Sequence, residues 1–318
     1  MIQTFQLPYF DPSTGNYGQG WRDMYCVAAF SIALTAMWAI SVTWIFEPLA
    51  RRMGLPPGKA RRFAEQTWLC IYYSSMWTLG MYLWRRSRYW TSMRELWATF
   101  PTKQLGGGLK FYLLTSLAFW FHQIIVVNVE KKRNDYPLYM AHHIATAVMM
   151  SSAYVYSAHE LVHLVSNLME AADVFLCIAK ICRYVDWRTS GNIALGTFAT
   201  VWLISRHIVY VRVCWILFQD IPTIKPYGCY SGINGQLSKD DVVVSWSRLG
   251  RPFIDSASLI CIVPLVKWAF LSMMLVFEAM SIVWFKMIVQ TVTRAFVNGY
   301  SDDVRSDEDE AEESVEMK

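Results

Sequence analysis

The sequence has few of the residue patterns that hold metals or redox centres. Its seven cysteines form no Cys-x-x-Cys pair and show no regular spacing, and the chain has only six histidines. Most of the cysteines fall in apolar segments, where a small buried thiol is the ordinary role; Cys229 lies in a polar loop instead. Internal repeats and a separate soluble domain are also missing. The first 20 residues are polar and lack the basic and apolar regions of a signal peptide. The cysteines in apolar segments are Cys26, Cys70, Cys177, Cys182, Cys214 and Cys261.

Long apolar blocks are what the sequence does contain. Of the 318 residues, 54% are hydrophobic and 15% aromatic, and they are grouped in blocks without amphipathic periodicity. A helix needs ~20 residues to cross the hydrocarbon layer, so the blocks predict an all-α, polytopic membrane protein with about seven transmembrane helices. The second block is short, and the last is too long for one straight crossing. The predicted spans are 24–46, 67–84, 109–129, 137–157, 160–182, 192–218 and 257–288.

Basic loops predict the orientation. Three loops rich in Lys and Arg, at 47–66, 130–135 and 183–188, share one side, which the positive-inside rule makes cytosolic. The amino terminus is then lumenal and the acidic carboxyl terminus cytosolic, although loop 85–110 is also basic and falls on the lumenal side. We expect four regions: a lumenal segment 1–23, a first membrane helix with a cytosolic linker 24–58, a catalytic membrane domain 59–295 and an acidic, disordered tail 296–318.

Ionisable residues inside the predicted spans are candidates for function, because their burial in lipid is costly. Glu170 and Asp173 are one helical turn apart and share a face. Arg206 lies near the middle of span six and needs a counter-charge, for which either acid is suitable. Spans four, five and six are therefore predicted to converge on a polar cavity. Lys180, Lys267 and Lys286 are expected to reach the interface by snorkelling.

The segment AHELVH at 158–163 contains H-E-x-x-H, the pattern of zinc peptidases. His159 and His163 would be ligands and Glu160 the general base, but the N-P-D-G or L-D-G motif that supplies the third ligand in intramembrane zinc peptidases is absent. His159 falls at a predicted turn, where a surface histidine is ordinary. An intramembrane zinc protease is therefore the weaker alternative, and we predict no metal site.

The segment MAHHIATAVMMSSAYVYSAHELVHLVSNLMEAADVFLCIAKICRYV at 140–185 closely resembles the longevity-assurance motif of ceramide synthases, which are TLC-domain membrane proteins. The resemblance covers roughly residues 60–295, and the acidic tail is similar to that of fungal members. Glu170 replaces the usual first Asp, Val162 a common glycine and Met169 a common histidine. The residues that match the motif are His142, His143, Thr146, Tyr154, Glu170, Asp173 and Lys180.

The resemblance implies a TLC-type helical bundle that transfers a fatty acyl group from acyl-CoA to the amine of a sphingoid base. His142 and His143 would act as base or nucleophile, with an acyl-imidazole intermediate as one route. The carboxylates of Glu170 and Asp173 would be further catalytic residues of the site. Acyl-CoA is a co-substrate, and no cofactor is expected. The candidate substrate-binding residues are Thr146, Tyr154, Arg206, His207, Arg212, Lys131, Lys132, Arg133 and Arg183.

The same resemblance implies a multi-pass protein of the endoplasmic reticulum that contacts membrane lipids and no nucleic acid. Whether the protein binds a small single-span regulatory subunit, and whether it forms a homo- or heterodimer, is left open. Ser301 and Ser306 precede acidic residues and are candidate regulatory phosphorylation sites. The alternative function is that of a non-catalytic TLC protein that binds or transports lipid. The sequence specifies neither the acyl-chain length nor which histidine is acylated.

Overall fold

The structure is a computed structural model, and it describes residues 7–97, 100–130, 136–232, 235–238, 245–255 and 258–298. In these residues the chain is almost entirely helical, and its four short strands form two antiparallel pairs. A π-helical segment, Ser41–Phe46, joins α1 to α2, and a second, Leu203–Val209, joins α7 to α8. The strands are β1 Phe10–Asp11, β2 Asn16–Tyr17, β3 Gly228–Tyr230 and β4 Ile260–Ile262. The helices are α1 Arg22–Ile40, α2 Glu47–Arg52, α3 Pro57–Arg86, α4 Gly107–Val129, α5 Tyr136–Val155, α6 His159–Tyr184, α7 Arg188–Trp202, α8 Tyr210–Thr223, α9 Trp246–Ile254 and α10 Pro264–Asn298.

Five helical runs in the described part of the chain are long and apolar enough to cross a membrane. The helices α3 and α5 have 30 and 20 residues, which is sufficient length for a crossing, but they are more polar. The predicted all-α, multi-pass architecture is therefore confirmed. The five apolar runs are Arg22–Arg52, Gly107–Val129, His159–Tyr184, Arg188–Thr223 and Pro264–Ala295.

Hydrogen bonds between loops show that alternate helix ends meet at one face of the bundle. We call this end, which holds residues 7–21, the N-terminal face. The backbone of Tyr17 pairs with Leu105 between α3 and α4. The Lys103 N–H donates to the Gly232 carbonyl at 2.7 Å, and the Tyr156 hydroxyl donates to the Leu249 carbonyl at 2.7 Å. Loops from four parts of the chain thus share a face, so the run α1–α2, α3, α4, α5, α6, the run α7–α8 and α10 cross the bundle alternately.

The last predicted span differs from the structure at its start. Residues 257–263 are apolar, but Ile260–Ile262 form strand β4, which pairs with β3, and helix α10 begins only at Pro264. Cys261 on β4 is bonded to Cys229 on β3. The expectation of a free thiol at Cys261 is therefore wrong, because residues 32 positions apart are brought together by a strand pairing that a hydropathy pattern does not reveal.

Loop 85–110, whose basic residues argued against the predicted orientation, contains six Lys and Arg residues. Two of them are buried and have partners. Lys110 is fully buried: its ammonium lies 2.7 Å from an Asp23 carboxylate oxygen and donates to the carbonyls of Pro8 and Gly18. The Lys103 ammonium donates to the Ser258 carbonyl at 3.2 Å. Burial lowers the pKa of this ammonium, while the Asp255 carboxylate acts in the opposite direction. These charges therefore organise the N-terminal face.

Lys267 was expected to snorkel, and this prediction is wrong. The residue is 7% exposed, and its ammonium donates to the carbonyls of Phe218 and Ile221 at 2.7 and 2.6 Å. These carbonyls lie in the last turns of α8, where backbone acceptors lack helical partners and can receive a cation.

The packing of α3 against α6 places the functional residues of α6 deep in the bundle. Gly80 on α3 allows this approach, since a Cβ at this position would lie 2.1 Å from the Asn167 amide nitrogen. Asn167 itself donates to the Trp77 carbonyl at 3.0 Å, and His163 lies one turn earlier on the same face. The core around this contact continues into α4, α5, α8 and α10.

The buried ion pair between Lys110 and Asp23 is expected to be essential for stability. Lys110→Met leaves the Asp23 carboxylate buried without its counter-charge, which costs about 3–5 kcal/mol. Thermal unfolding of the purified protein in detergent should show a clearly lower midpoint. Lys286→Met, on the exposed side of α10, is the matched control and should unfold like the wild type. An unchanged midpoint for Lys110→Met contradicts the role given to this pair.

Candidate functional site

The adjacent histidines lie near the start of α5, six and seven residues after Tyr136, and away from the N-terminal face. His143 is 2% exposed, and its Nδ1 lies 2.7 Å from the Tyr139 carbonyl. A carbonyl can only accept a hydrogen bond, so Nδ1 carries the proton and the lone pair is on Nε2. His142 is half-buried, and the edges of three aromatic rings surround it, with ring-centre distances of 5.1 to 5.6 Å. These rings are Trp120, Phe277 and Trp284.

The two acids of α6 have different partners. Glu170 is buried and accepts a hydrogen bond from the Tyr112 hydroxyl of α4 at 2.9 Å. Asp173 accepts two hydrogen bonds from the Arg206 guanidinium at 3.2 and 3.3 Å. The counter-charge of Arg206, which the sequence left open between the two acids, is therefore Asp173. His142 lies within electrostatic range of Arg206, so α5, α6 and the second π-helical segment meet at this site.

The second π-helical segment aims two neighbouring side chains at different helices. Arg206 turns to α6 and packs over the Trp202 ring at 3.9 Å. His207 turns to α10, where its Nδ1 lies 2.6 Å from a Glu278 carboxylate oxygen. Single π-helical turns occur often at functional sites, because the additional residue redirects the side chains that follow.

Several buried polar atoms around these helices have no hydrogen-bond partner among the described residues. Buried polar groups are almost always paired, so a group of orphaned atoms at one place indicates room for a polar ligand. They lie on α5, on the second π-helical segment and on α10. The atoms are His142 Nδ1, Ser205 Oγ, Arg206 Nε, His207 Nε2 and Glu278 Oε2.

An apolar cleft lies between α5, α6 and α10, about 10 Å from the His pair along α5. Met149 and Met150 are each seven residues after one of the two histidines, so they continue the same helix face toward the N-terminal face. On α10, Phe270 and Met274 precede Phe277 by two turns and one turn. The cleft therefore lies on the same faces of α5 and α10 as His142 and Phe277. Its remaining lining residues are Ala153, Leu161, Val162, Val165 and Ser166.

The other predicted site residues lie at different distances from this centre. The Thr146 hydroxyl donates to the His142 backbone carbonyl at 2.8 Å. Tyr154 lies at the N-terminal face and donates to Asp23 at 2.8 Å. Arg212 is on the exposed side of α8, and Arg183 is in the last turn of α6. The predicted residues outside the described part of the chain are Lys131, Lys132, Arg133, Ser301 and Ser306.

The two histidines of H-E-x-x-H are used by the protein itself. His163 is fully buried; its Nδ1 lies 2.6 Å from the Tyr89 hydroxyl and its Nε2 lies 3.1 Å from the Gly80 carbonyl. His159 was expected at the surface, but it is 2% exposed and its Nε2 lies 3.2 Å from the Gln19 side chain. Both residues hold segments of the bundle together. In the described residues no three potential ligands are grouped for a metal ion.

Sequence reasoning overlooked four residues of the site. Tyr112, Phe277 and Trp284 are ordinary residues of apolar helices, and their sequence neighbourhood contains no signal of a polar partner. Glu278 did carry a signal, since it is the only acid in the last span. Its pairing with His207, however, requires knowledge of how α10 packs.

Fold and site together define the class: a multi-pass helical membrane protein that encloses histidines, acids and an arginine within its bundle. Residues 62–290 match the TLC domain family, and the chain therefore belongs to that family. The predicted resemblance to longevity-assurance ceramide synthases is confirmed by the relatives.

Three fungal relatives match almost the whole chain. The sphingosine N-acyltransferase-like protein ALT7 of Alternaria alternata is 34% identical over 96% of this chain and 72% of its own length. The ceramide synthase FUM18 of Gibberella moniliformis is 32% identical over 98% of this chain and 73% of its own. The sphingosine N-acyltransferase lag1 of Schizosaccharomyces pombe is 25% identical over 97% and 73%.

His163 is expected to act in stability and not in metal binding. His163→Ala removes the partner of the Tyr89 hydroxyl and of the Gly80 carbonyl, and each buried polar group left unpaired costs about 1–3 kcal/mol. The unfolding midpoint in detergent should fall, whereas metal analysis of the wild type should find no stoichiometric zinc. Zinc bound one to one and lost on His163→Ala would support the protease alternative. His142→Ala is the comparison variant. Its unfolding midpoint should fall less, because one nitrogen of the His142 ring has no hydrogen-bond partner among the described residues.

Proposed function

We propose that this protein is a ceramide synthase, an acyltransferase that moves a fatty acyl group from acyl-CoA to the amine of a sphingoid base. The observation that carries the proposal is the adjacent imidazole pair, enclosed by aromatic rings and set beside buried acids and an arginine. The names of the fungal relatives support the same reaction. The apolar cleft two turns along α5 from the histidines supports a substrate with a long hydrocarbon chain.

In the proposed mechanism His143 is the nucleophile. Its Nδ1–H is held by the Tyr139 carbonyl, so Nε2 presents a lone pair to the thioester. Attack forms the bond between Nε2 and the acyl carbon, and the C–S bond breaks with the thiolate of CoA as leaving group. His142 is the neighbouring group that stabilises the negative oxygen in the transition state, because its ring lies beside His143 at 5.7 Å between ring centres.

The acids and Arg206 support this geometry in different ways. Asp173 and Arg206 fix α6 against the second π-helical segment and supply a cation within electrostatic range of His142. Glu170 is held by Tyr112, and the longer side chain relative to the usual Asp lets its carboxylate reach that hydroxyl. We assign both acids to the electrostatic environment of the reaction and not to nucleophilic attack.

The acyl chain is proposed to lie in the apolar cleft. A chain that enters along Met149 and Met150 would bring its thioester to the His pair, which is about 10 Å away along α5. The CoA head would stay at the end of the bundle opposite the N-terminal face. Arg183 lies near that end and is one of the proposed phosphate-binding cations; the others are Lys131, Lys132 and Arg133, which lie outside the described residues.

The membrane orientation is part of the proposal. The Cys229–Cys261 disulfide lies at the N-terminal face, and disulfides persist in oxidising compartments. This supports a lumenal N-terminal face in the endoplasmic reticulum, with the carboxyl terminus in the cytosol. A single-span subunit, a dimer, and phosphorylation of Ser301 and Ser306 stay predictions.

Each histidine of the pair is expected to be required. In microsomes supplied with acyl-CoA and a sphingoid base, His142→Ala and His143→Ala should both form no measurable ceramide, since general-base or nucleophilic participation contributes at least ~10²-fold. After incubation of the purified enzyme with acyl-CoA alone, mass spectrometry should find the acyl group on His143.

The control for this experiment is His159→Gln, a histidine substitution at the N-terminal face. It should retain the acyl label and ceramide formation in the fraction that folds. Full activity of His142→Ala or His143→Ala contradicts the proposed mechanism. A wild-type protein that binds ceramide but never turns over acyl-CoA indicates a lipid-binding TLC protein.

The disulfide provides a test of orientation. Five of the seven cysteines are free, so denatured protein from microsomes should take up five maleimide–polyethylene glycol groups before reduction and seven after it. Cys229→Ser should take up six groups both before and after reduction, because Cys261 loses its partner and joins the five free thiols. Seven groups on the unreduced wild type would contradict an oxidising environment at this face.

A further inference from the structure

His207 and Glu278 form a pair that the proposed acylation of His143 does not use. The distance of 2.6 Å between Nδ1 and the carboxylate oxygen is that of a strong, charge-assisted hydrogen bond. An ionised carboxylate only accepts, so Nδ1 carries the proton and Nε2 presents its lone pair. The other carboxylate oxygen and Nε2 are both buried, and neither has a partner among the described residues.

The pair lies at the same depth in the bundle as the His pair. On α10, Phe277 and Trp284 lie on either side of His142, while the residues that follow each of them, Glu278 and Phe285, contact His207. Successive residues on a helix point about 100° apart, so His142 and His207 lie against neighbouring faces of α10 at one level. Arg206 is within electrostatic range of both His142 and Glu278.

The proposed reaction also requires a base for the amine, and the His pair does not supply it. A sphingoid base carries an aliphatic ammonium, which has no lone pair until it loses a proton. If His143 holds the acyl group, its Nε2 is blocked at the moment when the amine must be activated. A second imidazole oriented by a carboxylate is the arrangement that performs this task in the catalytic triads of hydrolases.

We propose that His207 and Glu278 form the subsite for the acceptor amine, in which His207 Nε2 takes a proton from the ammonium and Glu278 orients and stabilises the resulting imidazolium. This inference rests on the proposed acyltransferase function. The hydroxyls on the two carbons that flank the amine of a sphingoid base also provide donors and acceptors for Glu278 Oε2 and for the orphaned Ser205 hydroxyl.

The step balances in atoms and charge. The ammonium gives one proton to His207, and the neutral amine attacks the acyl carbon on His143. The C–N bond of the amide forms, the bond to His143 Nε2 breaks, and the second amine proton passes to water, which balances the proton taken up in solution by the CoA thiolate released in the first half. His207 releases its proton to water, so the sum is thioester and ammonium in, and amide, thiol and one proton out.

The ionisable groups near this pair come from all the elements packed against it. The only charged residue of helix α7 is Arg188, which is its first residue and lies far from His207 along the chain. On α10 the other charged residues of the described part are Lys267, held by α8 carbonyls, Lys286 on the exposed side, and Arg294. The groups that interact with Glu278 or with its neighbour Arg206 are Asp173, Tyr73, Tyr210 and Cys214.

The test separates acylation from amine transfer in the purified, full-length enzyme. Release of CoA from acyl-CoA alone reports the first half, and ceramide formation at saturating acyl-CoA between pH 6 and pH 9 (about the range in which an imidazole titrates and the ammonium does not) reports the second. His207→Gln should release CoA within about twofold of the wild type but form ceramide about 10²–10⁴-fold more slowly at neutral pH.

The pH profile supplies the readout that a purely structural role would not change. Without a base, the rate follows the fraction of free amine, which rises about tenfold per pH unit below an ammonium pKa near that of lysine. His207→Gln should therefore show this slope throughout, whereas the wild-type rate should depend less steeply on pH because His207 takes the proton from the ammonium. Glu278→Gln should show a smaller loss in the same direction, because an amide does not stabilise the imidazolium.

Two matched controls exclude packing effects. Phe285→Leu removes the ring that lies 4.9 Å from the His207 ring but keeps both polar groups, and its pH profile should be that of the wild type. Lys286→Gln changes an exposed charge on the same helix and should also keep that profile. The inference is overturned if His207→Gln keeps the wild-type profile, or if it loses CoA release to the same extent as ceramide formation. A wild type that forms no ceramide refutes the acyltransferase proposal itself.

Discussion

The ion pair between Arg206 and Asp173 is the constraint on which the site depends. Loss of either partner would leave an uncompensated charge inside a membrane bundle, at a cost of about 3–5 kcal/mol. The pair fixes the second π-helical segment against α6, and Trp202 covers the guanidinium from the other side. Because Arg206 must point to α6, the next side chain, His207, is directed to α10. The buried charge of Arg206 thereby also sets the position of the His207 side chain.

Helix α10 forms the common wall of the site. Phe277 and Trp284 lie against His142, Glu278 pairs with His207 and Phe285 contacts the His207 ring, so one helix contacts both imidazoles. Aromatic walls keep the local dielectric low, which strengthens the electrostatic effect of Arg206 and Asp173 on charges formed in the reaction. The same walls limit access of water, which would protect the proposed acyl-imidazole until the amine arrives.

The sequence predicted what depends on local properties and missed what depends on distant partners. The cost of burial in lipid is a property of each residue, so His143, Glu170, Asp173 and Arg206 could be identified without knowledge of the fold. By contrast, the β3–β4 pairing converted part of an apolar block into a strand and joined Cys261 to Cys229. Burial of Lys267 and His159 likewise depends on carbonyls and an amide contributed by other parts of the chain.

Whether both ring nitrogens of a histidine have hydrogen-bond partners separates structural from candidate functional histidines better than the sequence motif does. Both nitrogens of His163 are filled by Tyr89 and Gly80, so this ring has no lone pair for a metal or a substrate. His142 and His207 each retain a buried nitrogen without a partner among the described residues. An orphaned nitrogen alone is not sufficient: His122 also has one, but its ring lies against Trp38 and Phe119 and its polar contact is Thr35. The roles proposed for His142 and His207, beside the nucleophile His143, require an available nitrogen near other polar groups, and both residues meet that condition.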